Sequence, residues 1–437
     1  MRNRTPGEGR GDPQDLVIPH SALRTPHSLA FVYPQLKKLT GAQRLMLMLA
    51  KWTARAGVRV SLITHRVAGE VRAALDPAVE LIETGRRVDH FGHHYLDAAL
   101  EYLSGPLLLR AIPNSTAGVV FFGPPSLPAL RLARRRWGRT RPLLYFCYEP
   151  PRAAYSDRGL IAGRFGTLAP LVGAGALLYR PLDRAFARSA DAIMANGEYG
   201  RDLIRAAYGV EATILPHGVD LPVASPERVA AVRRRWGLDG AAAVAITVNQ
   251  LHPRKRIDLF IRAIAEAREA GAAVRGLIVG AGVERAALEA ERDRLGLGEA
   301  IIFCGFVEDD DLPALYAASD LYVHTGLAET FGLSVLEAAA SGLPVVAVAD
   351  GGPREILRDG ETGLLVPPTA AQIAEGMLTL VRDPEAARAM GARARADVLA
   401  RYRWEVGASA TDRGVGAGGA SRAGGAVKAR VVRCASS

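Results

Sequence analysis

Short, continuous apolar runs alternate along this chain with stretches whose apolar positions recur every three to four residues. Runs that are apolar at every position suit parallel strands buried on both faces, and the periodic stretches suit the helices that cover them. In the first half the pattern predicts strands at Leu29–Tyr33, Arg59–Thr64, Gly118–Phe122, Pro142–Cys147 and Ala192–Ala195. A helix over Gln43–Ala56 follows the first of them, with Leu45, Leu49, Trp52 and Ala56 on one face. In the second half the predicted strands are Val244–Val248, Arg275–Val279, Ala300–Phe303, Leu321–His324, Pro344–Val348 and Gly363–Val366. Helices such as Asp258–Ala270 and Asp311–Ala317 lie between them. The fold class expected is α/β, with two parallel Rossmann-like domains.

Composition sets the outer limits. Residues 1–27 are polar and rich in Gly and Pro, and read as a disordered leader without the apolar stretch of a secretory signal. Domains are expected over 28–221 and 227–406, joined by a linker at 222–226, with a Gly/Ala/Ser-rich tail over 407–437. The uncharged apolar stretch Phe165–Tyr179 falls short of the roughly 20 residues that a membrane span needs. Three widely spaced cysteines fit neither a disulfide framework nor a structural zinc site, and point to a reducing, cytoplasmic compartment.

Charge is uneven. Residues 1–220 carry 29 Lys and Arg against 18 Asp and Glu, whereas residues 221–437 carry 26 against 27. A basic first half fits either a solvated surface or attraction to an acceptor phosphate or an anionic membrane surface, which would place the protein peripherally at the inner membrane face. Nucleic acid is not the expected partner, because the basic run Arg131–Arg141 has Trp137 as its single aromatic.

Open parallel sheets bind ligands beyond the carboxyl ends of their strands. There the second half offers HTGLAETFGLSVLEAAASGLPVVAVADGGPREIL, residues 324–357, in which Glu329 precedes a predicted helix start at Phe331-Gly332 and Glu337 lies inside the helix. Free amides at such a start can hold a phosphate, and the two carboxylates could accept hydroxyls from opposite ends of a nucleotide sugar. The plain alternative is a loop acid and a helix-dipole acid. A second cluster, VNQLHPRKRIDL over 248–259, puts Arg254, Lys255 and Arg256 after a strand, either to neutralise a diphosphate or as a solvated basic loop.

The segment ETFGLSVLE resembles the E-x7-E motif of the retaining glycosyltransferase family 4, which has the GT-B fold of two Rossmann-like domains facing each other across a cleft. The likeness extends to ASGLPVVA, to GGP at Gly351–Pro353 and to GETGLLVPP over 360–368. It implies that Glu329 contacts the transferred sugar, that Glu337 contacts the donor ribose, and that the backbone of Thr330, Phe331, Gly332 and Leu333 meets the diphosphate. Lys255 matches a diphosphate-clasping lysine of the family, supported by Arg254 or Arg256. Gln250 stands where the family has an arginine, and so supplies a hydrogen bond but no charge. In the first half, Gly41 and Ala42 occupy the family's glycine-rich loop, for which an ordinary helix cap by Thr40 is the alternative. YFCYEPPRAAY resembles a stretch lining the acceptor cleft, with Tyr148 where a histidine is common and Glu149 and Arg152 as acceptor contacts.

The resemblance implies transfer of a hexose from a nucleotide-diphosphate sugar, as co-substrate, to a glycan, lipid-linked or small-molecule acceptor, with no metal and no other cofactor. GGPRE favours GDP-mannose slightly over UDP-hexoses. The alternative reading is a non-catalytic nucleotide-sugar binder, and another GT-B enzyme such as an epimerase lacks an identifiable acid or base in the first half. Asp309-Asp310-Asp311 reads as a helix cap with first-turn acids rather than a metal motif, and His90, His93 and His94 as loop histidines.

Overall fold

The computed structural model describes residues 28–88, 100–155, 169–215, 217–219, 223–240, 243–307, 311–402 and 404. The expected leader and tail, Pro222, His90, His93, His94, Asp309 and Asp310 lie outside the described residues.

Among the described residues, thirteen strands form two all-parallel sheets. The first contains β1 (Ser28–Val32), β2 (Arg59–Thr64), β3 (Val79–Glu83), β4 (Gly118–Phe122), β5 (Leu143–Phe146), β6 (Ala192–Ala195) and β7 (Thr213–Ile214), in the order 3-2-1-4-5-6-7. The second contains β8 (Ala243–Val248), β9 (Val274–Val279), β10 (Ile301–Gly305), β11 (Leu321–His324), β12 (Val345–Val348) and β13 (Leu364–Val366), in the order 10-9-8-11-12-13. Each sheet is covered on both faces. In β1, Leu29 and Phe31 enter one core and Ala30 and Val32 the other, and β8 divides Ala243 and Ala245 from Val244 and Ile246 in the same way. That two-sided burial is why the strands read as unbroken apolar runs.

The pattern missed two strands. β3 is interrupted by Glu80 and Glu83 at a sheet edge, and β7 is only two residues long. The basic run begins inside a helix, Leu127–Trp137, that buries Leu127, Ala129, Leu130 and Ala133. Much of the uncharged stretch belongs to the helix Ala169–Ala187. Pro226 is the first residue of the helix Pro226–Arg235, where the Ser225 hydroxyl accepts the Arg228 N–H at 3.3 Å. Asp311 makes no side-chain cap for the helix Leu312–Ala317 and pairs instead with Arg228 and Arg235.

The last described residues cross back. The helix Pro384–Arg401 packs on the helix Leu333–Ala340, and Trp404 then buries itself in the core of the first domain. A side chain at Gly218 would overlap the Trp404 ring, so the absence of a Cβ is what lets the return segment dock.

In each sheet the strand order reverses between neighbours, at β1/β4 and at β8/β11. Such a reversal opens a crevice at the carboxyl ends, because the loops that follow leave toward opposite faces.

Candidate active site

The β8/β11 crevice gathers the densest chemistry. The loop after β8 carries Gln250, exposed at the strand end, and a short 3-10 turn, Pro253–Lys255. The loop after β11 carries Glu329, and the two loops are joined by a close Lys255–Glu329 ion pair, with side chains only 15% and 13% exposed. Burial by itself would raise the Glu329 carboxyl, but the Lys255 ammonium outweighs it and holds the group at about 2. The pair therefore stands charged and largely dry at neutral pH, where it can meet sugar hydroxyls and phosphate oxygens without first shedding much water.

The three adjacent cations are split. Lys255 faces Glu329, Arg254 reaches to 3.8 Å from Glu149 of the first domain, and Arg256 forks onto Asp258 at 2.9 and 3.0 Å. Arg256 thus starts its helix, with φ 47°, and is not brought to the ion pair.

The helix carrying Glu337 begins at Leu333, with Gly332 at φ 96° as its N-cap. That left-handed turn is open to glycine and lets the Leu333 and Ser334 amides start the helix uncapped by a side chain. The Phe331 side chain is buried and packs edge-on against His217 at 4.2 Å, so only its backbone can serve the crevice. Glu337 accepts the Tyr316 hydroxyl at 3.1 Å and stands 3.4 Å from Arg44 of the first domain.

The GGP segment shapes the Glu329 loop. Gly352 N–H donates to the Glu329 carbonyl at 2.7 Å, and side chains at Gly351 or Gly352 would collide with the backbone of Glu329 or Phe331. Ala328 is held in the left-handed region at φ 49°. Its N–H donates to Asp350 at 2.8 Å, and its carbonyl accepts from Arg152 of the first domain at 2.5 Å. A non-glycine residue there costs about 1–2 kcal/mol, which these two clamps offset.

Opposite, Gly41 is the first residue of the helix Gly41–Arg55, and its Cα lies against Leu333, with room for a Cβ only at 3.5 Å from the Leu333 methyl. Thr40 makes no cap to the helix backbone and bonds Gln43 instead. Ala42 lies one residue into the same helix, half-buried. Glu149 and Arg152 pair with each other, and burial raises the Glu149 carboxyl even though both Arg152 and Arg254 pull it down. The Tyr148 ring stacks among Phe122 and Phe146, and its hydroxyl is buried without a hydrogen-bond partner.

Sequence reasoning missed Arg44 and Glu355, which reach across to the other domain, Asp350, which holds the Ala328 N–H within the second domain, and His324, which lies fully buried near the ion pair. Neither ring nitrogen of His324 has a hydrogen-bond partner. Burial, reinforced by Lys255 and Arg254, holds the imidazole at about 4, so it is neutral at neutral pH. Glu355 stood inside the quoted GGPRE motif, but nothing in its spacing pointed across a cleft.

A family model described as Glycosyltransferase Family 4 matches residues 39–222, and one described as Glycosyl transferases group 1 matches residues 229–397. A GDP-mannose-dependent alpha-(1-6)-phosphatidylinositol monomannoside mannosyltransferase of Mycobacterium tuberculosis is 30% identical over 282 residues, which are 60% of this chain and 72% of that protein. The chain belongs to glycosyltransferase family 4.

The protein of the same description from Mycolicibacterium smegmatis is 34% identical over 51% of this chain and 61% of its own length. A D-inositol 3-phosphate glycosyltransferase of Nocardia farcinica is 36% identical over 49% of the chain and 50% of its own length. The matches thus span between half and two thirds of these two relatives. Among solved structures, HepE of Anabaena, in complex with UDP and glucose, superposes with a TM-score of 0.66 at 21% identity, covering 89% of this chain and 98% of that one. This last likeness establishes the GT-B fold. Both family segments of this chain reach the crevice just described, one contributing Gly41, Arg44 and Arg152 and the other Lys255, Glu329 and Glu337.

Proposed function

We propose that this glycosyltransferase moves a hexose from a nucleotide-diphosphate sugar to a lipid-linked, saccharide or small-molecule acceptor, with retention at the anomeric carbon and without a metal ion. The observation that carries the proposal is the charged, nearly dry Lys255–Glu329 pair beside the free amides at the start of the Leu333–Ala340 helix. In this reading Glu329 orients the sugar hydroxyls and Glu337 receives the ribose. Lys255, Arg254 and the Leu333 and Ser334 amides take up the charge of the departing diphosphate. The acceptor enters past Gly41, Glu149 and Arg152, and its proton passes to the leaving phosphate. GDP-mannose is the favoured donor, supported by the GGPRE segment and by the relatives named for that donor. An inositol-bearing acceptor, free or lipid-linked, is the first class to test, because the relatives are named for such acceptors.

The test is a transfer reaction with GDP-mannose and with UDP-glucose, offering inositol phosphate and phosphatidylinositol mannoside acceptors, with the anomeric configuration of the product read by NMR. An α-linked product from the α-linked donor is expected. A β-linked product contradicts retention, and nucleotide binding with no product from any donor favours the non-catalytic alternative.

A further inference from the structure

Nine large apolar side chains are exposed among the described residues, and five of them belong to neighbouring segments of the first domain. Leu103, Leu132, Leu177, Leu178 and Leu182 lie on three packed segments of the first domain: helical residues 100–104 with the 3-10 turn Gly105–Arg110, the helix Leu127–Trp137, and the helix Ala169–Ala187. Tyr102 meets Tyr179 edge-on at 6.0 Å and stacks on Phe186 at 6.5 Å, which joins the first segment to the third. The other four exposed residues, Val223, Val283, Phe306 and Leu399, sit on separate elements elsewhere. Leu178 is 80% exposed, and Ala174, Leu182 and Ala185 share its helical face, all exposed. A contiguous apolar stripe of this kind marks an interaction surface rather than ordinary scatter.

The charge around it has one sign. Residues 100–110, 127–139 and 169–188 contain nine arginines and two acids. Asp183 is fully buried, and Glu101 is paired with Lys37 at 2.7 Å. Arg135 and Arg136 follow Leu132 by three and four residues on its own helix face and are exposed, and Arg139 is exposed just past the end of that helix. Arg184 and Arg188 are exposed at the end of the third segment, where they bond the Ala207 and Tyr208 carbonyls. Trp137, whose ring is stacked under Arg141 at 4.4 Å, closes the same helix. Leucines ringed by arginines with a tryptophan at the margin match the boundary layer of an anionic bilayer. No helix of the described residues is long and apolar enough to cross a membrane, so such an attachment is made along the surface.

We propose that this face docks on an anionic lipid bilayer, with the leucines entering the interface and the arginines meeting headgroup phosphates. It is continuous with the acceptor side of the cleft. The short helix Arg152–Tyr155 packs directly on Ala169–Ala187, the Tyr155 hydroxyl donates to the Arg180 carbonyl at 3.3 Å, and Arg152 itself bonds the Glu329 loop. A headgroup acceptor held in the same bilayer is thereby presented one helix away from the crevice. Docking does not depend on which sugar is transferred, so binding and turnover fail separately.

The experiment is flotation of the full chain with phosphatidylcholine vesicles, with and without a one-third share of phosphatidylglycerol, alongside light scattering of the free protein. Leu178→Glu/Leu182→Glu and Arg135→Glu/Arg136→Glu double variants are compared with the wild type. All four positions are exposed, and unchanged thermal midpoints verify the folds. Binding to the anionic vesicles alone is expected, weakened at least about tenfold in either variant and by added salt. Absence of flotation at low salt overturns the proposal, as does equal flotation of the leucine variant. A stable dimer that the leucine variant splits also overturns it, assigning the face to a second copy.

Discussion

Glu355 of the second domain accepts the backbone N–H of Glu198 in the first domain at 2.7 Å. The same carboxylate accepts the Tyr199 N–H at 2.6 Å, so a side chain of one domain caps the helix Glu198–Tyr208 of the other. Gly197 precedes that helix, and a Cβ there would press into the Glu355 carboxylate. The cap couples the relative placement of the domains to a helix terminus that has no side-chain cap of its own.

Removing this cap has a defined cost. Glu355→Ala lowers stability by about 1–2 kcal/mol, the usual loss for an N-cap, and Glu355→Gln, which retains a carbonyl acceptor, falls between it and the wild type. Thermal midpoints order the three proteins. Equal midpoints for Ala and wild type would show that the contact contributes nothing to the fold.

Acid stability follows from Glu329. Its carboxyl is held at about 2, below its ordinary 4.5, so the folded form prefers it ionised. The stabilisation, on the order of 3 kcal/mol, is complete above the ordinary carboxylate range and is lost as pH falls through the window toward 2. Denaturant midpoints taken from about pH 6 down to about pH 3 should fall more steeply for wild type than for Glu329→Gln. Parallel slopes would contradict a buried, charged pair.

Two glycines separate backbone strain from collision. Gly351 and Gly360 both have left-handed φ, 68° and 73°, but a Cβ at Gly360 meets nothing whereas one at Gly351 meets the Glu329 backbone. Gly360→Ala should cost about 1 kcal/mol from strain alone. Gly351→Ala should cost at least about 2 kcal/mol more and also impair turnover, since the Glu329 loop must shift. Equal costs, read from urea midpoints, would mean that the loop yields freely.

Arg44 and Glu337 carry unequal weight. A partly exposed pair at 3.4 Å is worth at most about 1 kcal/mol, so Arg44→Ala should change donor affinity by less than about fivefold. Glu337→Ala removes the proposed ribose contact and should weaken donor binding more than about tenfold. Calorimetric titration with the donor decides, and the reverse order would reassign the ribose contact to Arg44.

Strand placement was legible because both sheets bury two faces, which leaves nearly every strand as an uninterrupted apolar run. Where burial is one-sided or the strand very short, as in β3 and β7, that signal vanishes. Glu329, Lys255 and Glu337 were legible because their motifs are local. The division of Arg254, Lys255 and Arg256 among three partners was not, since Glu149 and Glu329 lie far along the chain and nothing in the local spacing shows that Arg256 turns to Asp258. Arg44 and Glu355 escaped because their roles depend on how two domains face each other, and Asp350 because its partner Ala328 belongs to a separate loop of the same domain. The leucines of Ala169–Ala187 read as an apolar stretch, and only the packed fold shows that they face outward.

The central claim is that Lys255 and Glu329 together form the donor site. Its most direct measurement is release of nucleoside diphosphate from a panel of nucleotide sugars by wild type, Glu329→Gln and Lys255→Ala. One donor should be turned over by the wild type, with kcat/KM at least about 100-fold lower in both variants. Turnover in either variant at the wild-type rate would contradict the assignment.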